Sequence, residues 1–413
     1  MFTLDGWIEL DGHRLKREEI ESLLNSRPGD LHRCGGEFSL VWPSHCARDW
    51  LGITPGPCPP GTILKDGKLA GRINPSPPGI VPRGDHDQTP PGQSLLDELD
   101  SAIRAAVALR VDEGVVTAFS GGVDSTLVAK LAGLPCVAIG LEGSHDLRQA
   151  RMAADSMGLS CDFITFPLKD VEGAMIAVIR ELYRTGGSAT IYGTTIPGSE
   201  PPGESCKPLE FGPERSEGGR DESSADKSLS TARSGVDACS GIEIPCPVIS
   251  RSPSPVDVAV GAAQYCIARW AGEQGYRRIL SGQGADELFG GYAKYLASSD
   301  PGRDMALDFA ALLRQVHRDQ ALVAPSGVRF SFPYLDVRVV RVAGRIPAAE
   351  KLQNTRKQPL REVALRHIPP GIAWKEKKAM QYGSGFAKVL ANMARHNGYK
   401  RSVQRYIDYT GGR

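Results

Sequence analysis

The residues best suited to chemistry form one hexapeptide, Ser120-Gly121-Gly122-Val123-Asp124-Ser125, set between a short apolar run and a helical pattern. Two adjacent glycines let the backbone come close to phosphate oxygens, and a helix that follows aims its free N–H groups and positive dipole end at them. Ser120 and Ser125 add hydroxyl donors, and Asp124 offers the hard oxygen that Mg²⁺ prefers. The loop matches neither GxxxxGK[ST] nor GxGxxG, which argues against γ-phosphate transfer and against a dinucleotide fold. A second turn, Leu280-Ser281-Gly282-Gln283-Gly284-Ala285-Asp286-Glu287, leads from a strand through glycines into a helix with two acids in its first turn. Taken alone, Asp286 and Glu287 also fit as plain helix-start acids favoured by the dipole.

The elements that must position these turns alternate. Val115–Ser120, Cys136–Leu141, Cys161–Leu168 and Arg277–Leu280 read as short buried strands. Ser125–Gly133, His145–Gly158, Asp170–Thr185 and Val256–Gly275 read as helices. Strand–helix alternation at this spacing predicts an α/β domain with a parallel sheet and crossover helices. A helix opens near Ser94, with Leu95, Leu96, Leu99, Ile103 and Val107 on one face. Residues 1–93 are turn-rich with short apolar runs such as Glu37–Trp42, which predicts a small β-rich unit ending in a proline-rich linker from Pro75 to Pro91. Nearly half of residues 196–255 are Gly, Pro or Ser, so this stretch reads as a disordered insertion. Residues 303–395 read as mainly helical, and 396–413 as a basic tail that frays.

At 413 residues the chain accommodates two domains and permits a third. With 49 basic and 48 acidic side chains, a formal charge of +1 lacks the signature of a dedicated nucleic-acid binder. No apolar run approaches the ~18 residues of a membrane span, and the opening Met-Phe-Thr-Leu-Asp-Gly does not read as a secretory signal. The nine cysteines form no CxxC and no zinc spacing, as expected for reduced thiols in a soluble cytoplasmic protein.

The hexapeptide resembles the pyrophosphate loop of the ATP-pyrophosphatase superfamily, whose members cleave ATP to AMP and pyrophosphate while adenylating an acceptor. Leu280–Tyr292 is similar to the LSGEGxDExFxGY signature of class B asparagine synthetases. That resemblance implies Mg²⁺ shared by Asp124 and Asp286, and an ATP and pyrophosphate site lined by Ser120, Gly121, Gly122, Val123, Ser125, Ser281 and Gly282. Gly140–Leu147 resembles the family's second strand and loop, which puts Ile139 against adenine; a plain core role fits Ile139 equally. Trp374–Lys378 with Gly383–Gly385 resembles the family's W/R-x-K segment, implying that Lys377 stabilises charge on the reacting α-phosphate; a solvated basic run is the other reading. Lys357 and Arg361 also fit the family pattern, with packing as the alternative. The implied architecture is a parallel-sheet ATP-pyrophosphatase (HUP-like) domain over 94–395, with a helical C-terminal part. A shortened, β-rich remnant of the Ntn-hydrolase glutaminase domain precedes it over 1–93.

Three departures bear on the reaction. A glutaminase of this type needs a cysteine exposed after Met removal, whereas position 2 is Phe and no cysteine precedes Cys34. Glutamine hydrolysis is therefore not expected. The signature's Glu is Gln283, and Arg329 and Ser331 stand where the family pattern has Glu and Arg. The ATP half thus looks intact and the acceptor half, with Gln283, Glu287 and Arg329 as its candidate residues, looks rewritten. The expected function is an AMP-forming carbon–nitrogen ligase that uses ATP, Mg²⁺, a carboxylate (aspartate by default) and ammonia. A separate ammonia-supplying subunit or a homodimer stays open. The alternatives are adenylation of another carboxylate, a cofactor or a tRNA base, and a degenerate nucleotide-binding protein.

Overall fold

The computed structural model describes residues 1–74, 94–186, 252–376 and 383–412. Six antiparallel strands come first: β1 (Thr3–Leu10), β2 (His13–Arg14), β3 (Gly35–Trp42), β4 (His45–Arg48), β5 (Thr62–Lys65) and β6 (Lys68–Arg72), in the order β2-β1-β3-β4-β5-β6. The long β1–β3 pairing runs from Thr3↔Val41 to Glu9↔Gly35. One α-helix, Arg17–Ser26, followed by a 3-10 turn at Pro28–Arg33, interrupts this β-rich region and buries Ile20 and Leu23.

After residue 94 the alternation builds a five-stranded sheet from β7 (Val115–Ala118), β8 (Cys136–Gly140), β9 (Cys161–Thr165), β10 (Arg278–Leu280) and β11 (Arg329–Ser331). All its pairings are parallel, in the order β11-β10-β7-β8-β9. The chain therefore builds outward from β7 in both directions, and the strand order reverses between β7 and β10. In open α/β sheets the crevice at such a reversal, beyond the carboxyl ends of the strands, is where ligands bind. The hexapeptide follows β7 and the Ser281 turn follows β10, so both emerge into this crevice.

The helices cover both faces. Leu99, Ile103 and Val107 of Leu95–Ala108 pack on one side together with Leu127 and Val128 of Val123–Ala132. On the other side Pro255–Glu273, Leu168–Gly186 and Phe386–His396 share a second core around Val178, Ile267 and Phe386. The helix expected from Val256 starts at Pro255, capped by Ser254, whose Oγ accepts from Asp257 N at 3.2 Å. The rest of the expected insertion and the proline-rich linker lie outside the described residues.

The described part of residues 303–395 is mainly helical, as expected, with Arg329–Ser331 as the edge strand β11. One expectation is corrected. Residues 396–413 do not fray: Val403–Gly411 is a helix whose Tyr406 and Ile407 are buried in the second core. The six described cysteines are free thiols, and no described helix is long and apolar enough to cross a membrane.

The two sheets belong to one compact unit, joined by buried ion pairs. Arg110, 1% exposed, donates to Glu37 at 2.9 Å and to Asp336 at 2.8 Å. Arg338 donates to the same Asp336 at 2.9 Å and to Glu9 Oε2 at 2.6 Å. Burial favours a neutral Asp336, but the two flanking guanidiniums outweigh it and hold its carboxyl below the ordinary range.

Candidate active site

Local backbone requirements shape the loop after β7. Gly121 takes a φ of 70°, a conformation that side chains other than Gly rarely tolerate. Gly122 is the N-cap of Val123–Ala132 and provides no side-chain cap, so the first helical N–H groups face the crevice without one. The side chain of Val123 is buried, leaving its backbone to contribute. Ser125 Oγ donates to Gly122 O (3.3 Å), accepts from Ser120 N (3.1 Å) and lies 2.8 Å from Ser120 Oγ. With the Ser125 proton engaged, Ser120 is the donor in that last pair.

Across the crevice, Ser281 Oγ accepts from Gln283 N at 3.3 Å, and Ser281 N donates to Ser331 O of β11 at 2.9 Å. Gly282 comes so close to the hexapeptide that a Cβ there would sit 3.0 Å from Ser125 N. This approach brings Asp124 and Asp286 onto one cation. Lys357 Nζ lies 2.7 Å from Asp124 Oδ2 and 2.7 Å from Asp286 Oδ1. Burial alone would favour neutral Lys357, but the two carboxylates overcome it and raise its pKa above the ordinary lysine value. Lys357 reaches them from a left-handed backbone, φ 63°, at the N-cap of Gln358–Ala364. Uncommon backbone of this kind concentrates at functional sites. Tyr334 donates from its hydroxyl to Asp124 O at 3.0 Å, closing the cluster from below.

Asp124 and Asp286 fit a hard divalent cation: two carboxylates already converge on one positive charge, and both belong to the crevice. The described residues contain no group of three or more His, Cys, Asp or Glu side chains suited to a metal, so remaining ligands would come from phosphate and water, the usual arrangement for Mg²⁺.

Glu287, 6% exposed, accepts from the Tyr292 hydroxyl at 2.6 Å. Burial, opposed by that hydrogen bond and reinforced by Asp286, pushes its carboxyl up to about 7. Gln283 turns inward: its Nε2 lies 3.4 Å from Asp319 Oδ2, and its Oε1 is 3.5 Å from Gln264 Nε2.

Arg329 does not join this group. It pairs with Asp5 of β1, because β11 is an edge strand whose outer side meets the antiparallel sheet. Ser331 likewise donates to Glu37. Ile139 is half-buried near the carboxyl end of β8, packed against the core. Lys377 lies outside the described residues, but both flanks are placed. Glu376 pairs with Arg356 at 3.1 Å, beside Lys357, and Ser384 O accepts from Leu141 N at 3.2 Å, just past β8. Arg361 donates to the carbonyls of Arg356 (2.8 Å) and Ala373 (2.6 Å). Sequence reasoning noticed Lys357 only as a pattern fit, and it missed Tyr334, Gln264 and Asp319, which sit in ordinary helical or aromatic contexts.

The family model for asparagine synthase matches residues 98–194, 242–323 and 302–409. A Methanocaldococcus jannaschii protein named "Putative asparagine synthetase (glutamine-hydrolyzing) 1" is 26% identical over 363 residues, covering 76% of this chain and 54% of that one. A Schizosaccharomyces pombe protein named "Probable asparagine synthetase (glutamine-hydrolyzing)" is 24% identical over 320 residues, covering 74% and 45%. Asparagine synthetase B of Escherichia coli is 27% identical over 140 residues, covering 32% and 25%. The chain thus spans about half, or less, of the length of these relatives. With a matching family model over more than half of its residues, and its two signature turns facing each other across a parallel sheet, the chain belongs to the asparagine synthase family.

Proposed function

We propose that the chain is an ATP-dependent, AMP-forming carbon–nitrogen ligase that adenylates a carboxylate, aspartate by default, and forms an amide with ammonia. The observation that carries this reading is the convergence of Asp124 and Asp286 on Lys357, beside the uncapped helix start of the glycine loop. Mg²⁺ held by the two carboxylates would supply charge neutralisation for the β- and γ-phosphates. The N–H groups after Gly121 and Gly122 and the Ser120 hydroxyl bind oxygens of the departing pyrophosphate. Lys377 is assigned the charge that builds on the α-phosphate, work of the oxyanion-hole kind. Ile139 is assigned to the adenine.

Ammonia, in place of the chain's own glutamine hydrolysis, is supported by the state of the antiparallel sheet. Burial, with Glu9 adding to it, pushes the Cys34 thiol up to about 12, far from a nucleophile's range. The substrates of this reading are small molecules in a cytoplasmic setting.

A second reading, adenylation of a different acceptor, is favoured by one observation: Arg329 and Ser331 face the antiparallel sheet, so they leave the acceptor side without the family pattern's charged pair. One experiment separates the readings. The protein is incubated with ATP, Mg²⁺, aspartate and ammonium, with controls omitting each, and the products are analysed. AMP, pyrophosphate and asparagine together, only when both aspartate and ammonium are present, support the first reading. AMP without asparagine supports the second. Absence of ATP cleavage across a panel of acceptors would leave a nucleotide-binding protein. Asp124→Asn should abolish pyrophosphate release under either enzymatic reading.

A further inference from the structure

Cys46 and Cys58 are two thiols that the ligase reading leaves unused. Cys46 is half-buried on β4, and Cys58 is fully buried in the loop that leads from β4 to β5. Two anchors set Cys58 over that strand pair. Its carbonyl accepts from Arg48 Nη1 at 3.4 Å, and Arg48 is two residues from Cys46, so both side chains share one face of β4. Its Sγ lies 4.0 Å from Thr62 O, and Thr62 is two residues from Leu64, the partner of Cys46 on β5. The two thiols accordingly meet in a hydrogen bond.

The backbone between them is tied down. The Asp49 carboxylate accepts from Ile53 N (2.8 Å) and Thr54 N (3.0 Å), and the Asp49 carbonyl accepts from Gly61 N (2.9 Å). Arg48 donates to Thr54 O (2.7 Å) and Gly52 O (2.8 Å), and its Nη2 lies 3.0 Å from Nε2 of His317 on the helix Pro301–Val323. A bond from Cys46 to Cys58 therefore closes a ring around Arg48, where the antiparallel sheet meets that helix. Cys136 and Cys161, paired in register on β8 and β9, are arranged otherwise. Each of their thiols donates to a separate carbonyl, Leu134 O at 3.6 Å and Asp162 O at 3.7 Å.

The two thiols over β4 are also unlike each other. Burial, with the hydrogen bond to Cys46 adding to it, pushes the Cys58 thiol up to about 12. An oxidant therefore meets the half-buried Cys46 first, and Cys58 reacts only through it.

We propose that Cys46 and Cys58 form a redox modification site that takes a hydroperoxide as oxidant and closes a disulfide around Arg48. With hydrogen peroxide, the Cys46 sulfur attacks one oxygen and the O–O bond breaks, giving the Cys46 sulfenic acid and one water. The Cys58 sulfur then displaces the sulfenic oxygen, and the Cys58 proton leaves with it as a second water. Two thiols and one peroxide thus become one disulfide and two waters, and a dithiol reductant reverses the bond by exchange.

The test uses the full chain, reduced and freed of reductant, then treated with excess hydrogen peroxide, blocked with N-ethylmaleimide and digested with trypsin. The expected product joins residues 34–48 to residues 49–65 through Cys46 and Cys58, with fragment ions separating Cys46 from Cys34. Dithiothreitol should release it, and the linked protein should melt about 3–6 °C higher than the reduced one. In Cys58→Ala, Cys46 should stop at the sulfenic acid and take dimedone. In Cys46→Ser, Cys58 should stay a thiol. The wild-type digest decides alone if either variant fails to fold. Cys58 bonded to a different cysteine, or Cys46 oxidised while Cys58 remains a thiol, would overturn the pair. A linked protein that melts no higher than the reduced one would overturn the closure around Arg48.

Discussion

Glu37 of β3 accepts the hydroxyl hydrogen of Ser331 in β11, joining the two sheets across 294 residues of sequence. The same carboxylate accepts from Phe332 N at 3.0 Å and from Arg110 at 2.9 Å. The antiparallel sheet is thus bound into the edge of the parallel sheet. Removing one member of such a buried network leaves its partners charged and unpaired, which costs about 3–5 kcal/mol. Glu37→Ala should lower unfolding stability by about 3 kcal/mol, read as a lower urea midpoint. A midpoint unchanged from wild type would mean that Glu37 does not hold the two sheets together.

Lys357 keeps two carboxylates together, and its removal should make the fold cation-dependent. In Lys357→Met, Asp124 and Asp286 lose the ammonium that both contact. Because the Asp286 side chain is 41% exposed, the expected loss is about 2 kcal/mol, below that of a fully buried pair. Millimolar Mg²⁺ should restore much of the melting temperature in this variant and have little effect on wild type. Equal Mg²⁺ responses in the two proteins would show that the carboxylates do not form a cation site.

Gly291 tests the packing of the same cluster without touching its charges. A Cβ at this position would fall within the van der Waals envelope of Asp286 Oδ1 and Lys357 Cε. Gly291→Ala should reduce ATP–pyrophosphate exchange at least tenfold. Gly344, inside the helix Val337–Arg345 with open space around it, is the control. There, Ala should raise stability by about 0.5–1 kcal/mol and leave exchange unchanged.

His317 gives a pH signature. Its Nε2 lies 3.0 Å from Arg48 Nη2, so it accepts from the guanidinium and its proton resides on Nδ1. Burial, with Arg48 adding to it, lowers its pKa from 6.5 to about 4. Between these values the unfolded chain binds a proton that the folded chain does not. The stabilisation is therefore present above pH 6.5 and lost as pH falls toward 4. Melting temperatures of wild type and His317→Gln should diverge over that window, with the wild type falling more steeply. Parallel curves would show that His317 protonates without penalty.

Much of this was legible in the sequence, and the limits have physical causes. Strands β7 to β10 and their following helices appear within a few residues of where apolar runs and capping residues predict them, because local signals decide them. β11 was missed because three residues, Arg-Phe-Ser, carry no periodicity, and only pairing with β10 makes them a strand. The helix Arg17–Ser26 was hidden among charges, with just two buried residues to mark it. Asp124 and Asp286 were paired only through the family resemblance of their turns, since a helix-start role also fits Asp286. Lys357 was not placed between them, since its geometry depends on a left-handed backbone 233 residues away from Asp124. Arg329 was assigned to the acceptor pocket by its position in a motif, but an edge strand offers its outer side to a neighbouring sheet, and Asp5 claims it.

The pairing of Glu9 and Glu37 with Arg110, Asp336 and Arg338 also constrains how the protein is made. A ribosome delivers both glutamates early, Arg110 next, and Asp336 and Arg338 more than 200 residues later. Until then the nascent antiparallel sheet carries two carboxylates on the surface destined for burial, without their full set of counter-charges. That sheet has to remain unsealed until Asp336 and Arg338 are made, and its closure reports whether the parallel sheet has been completed.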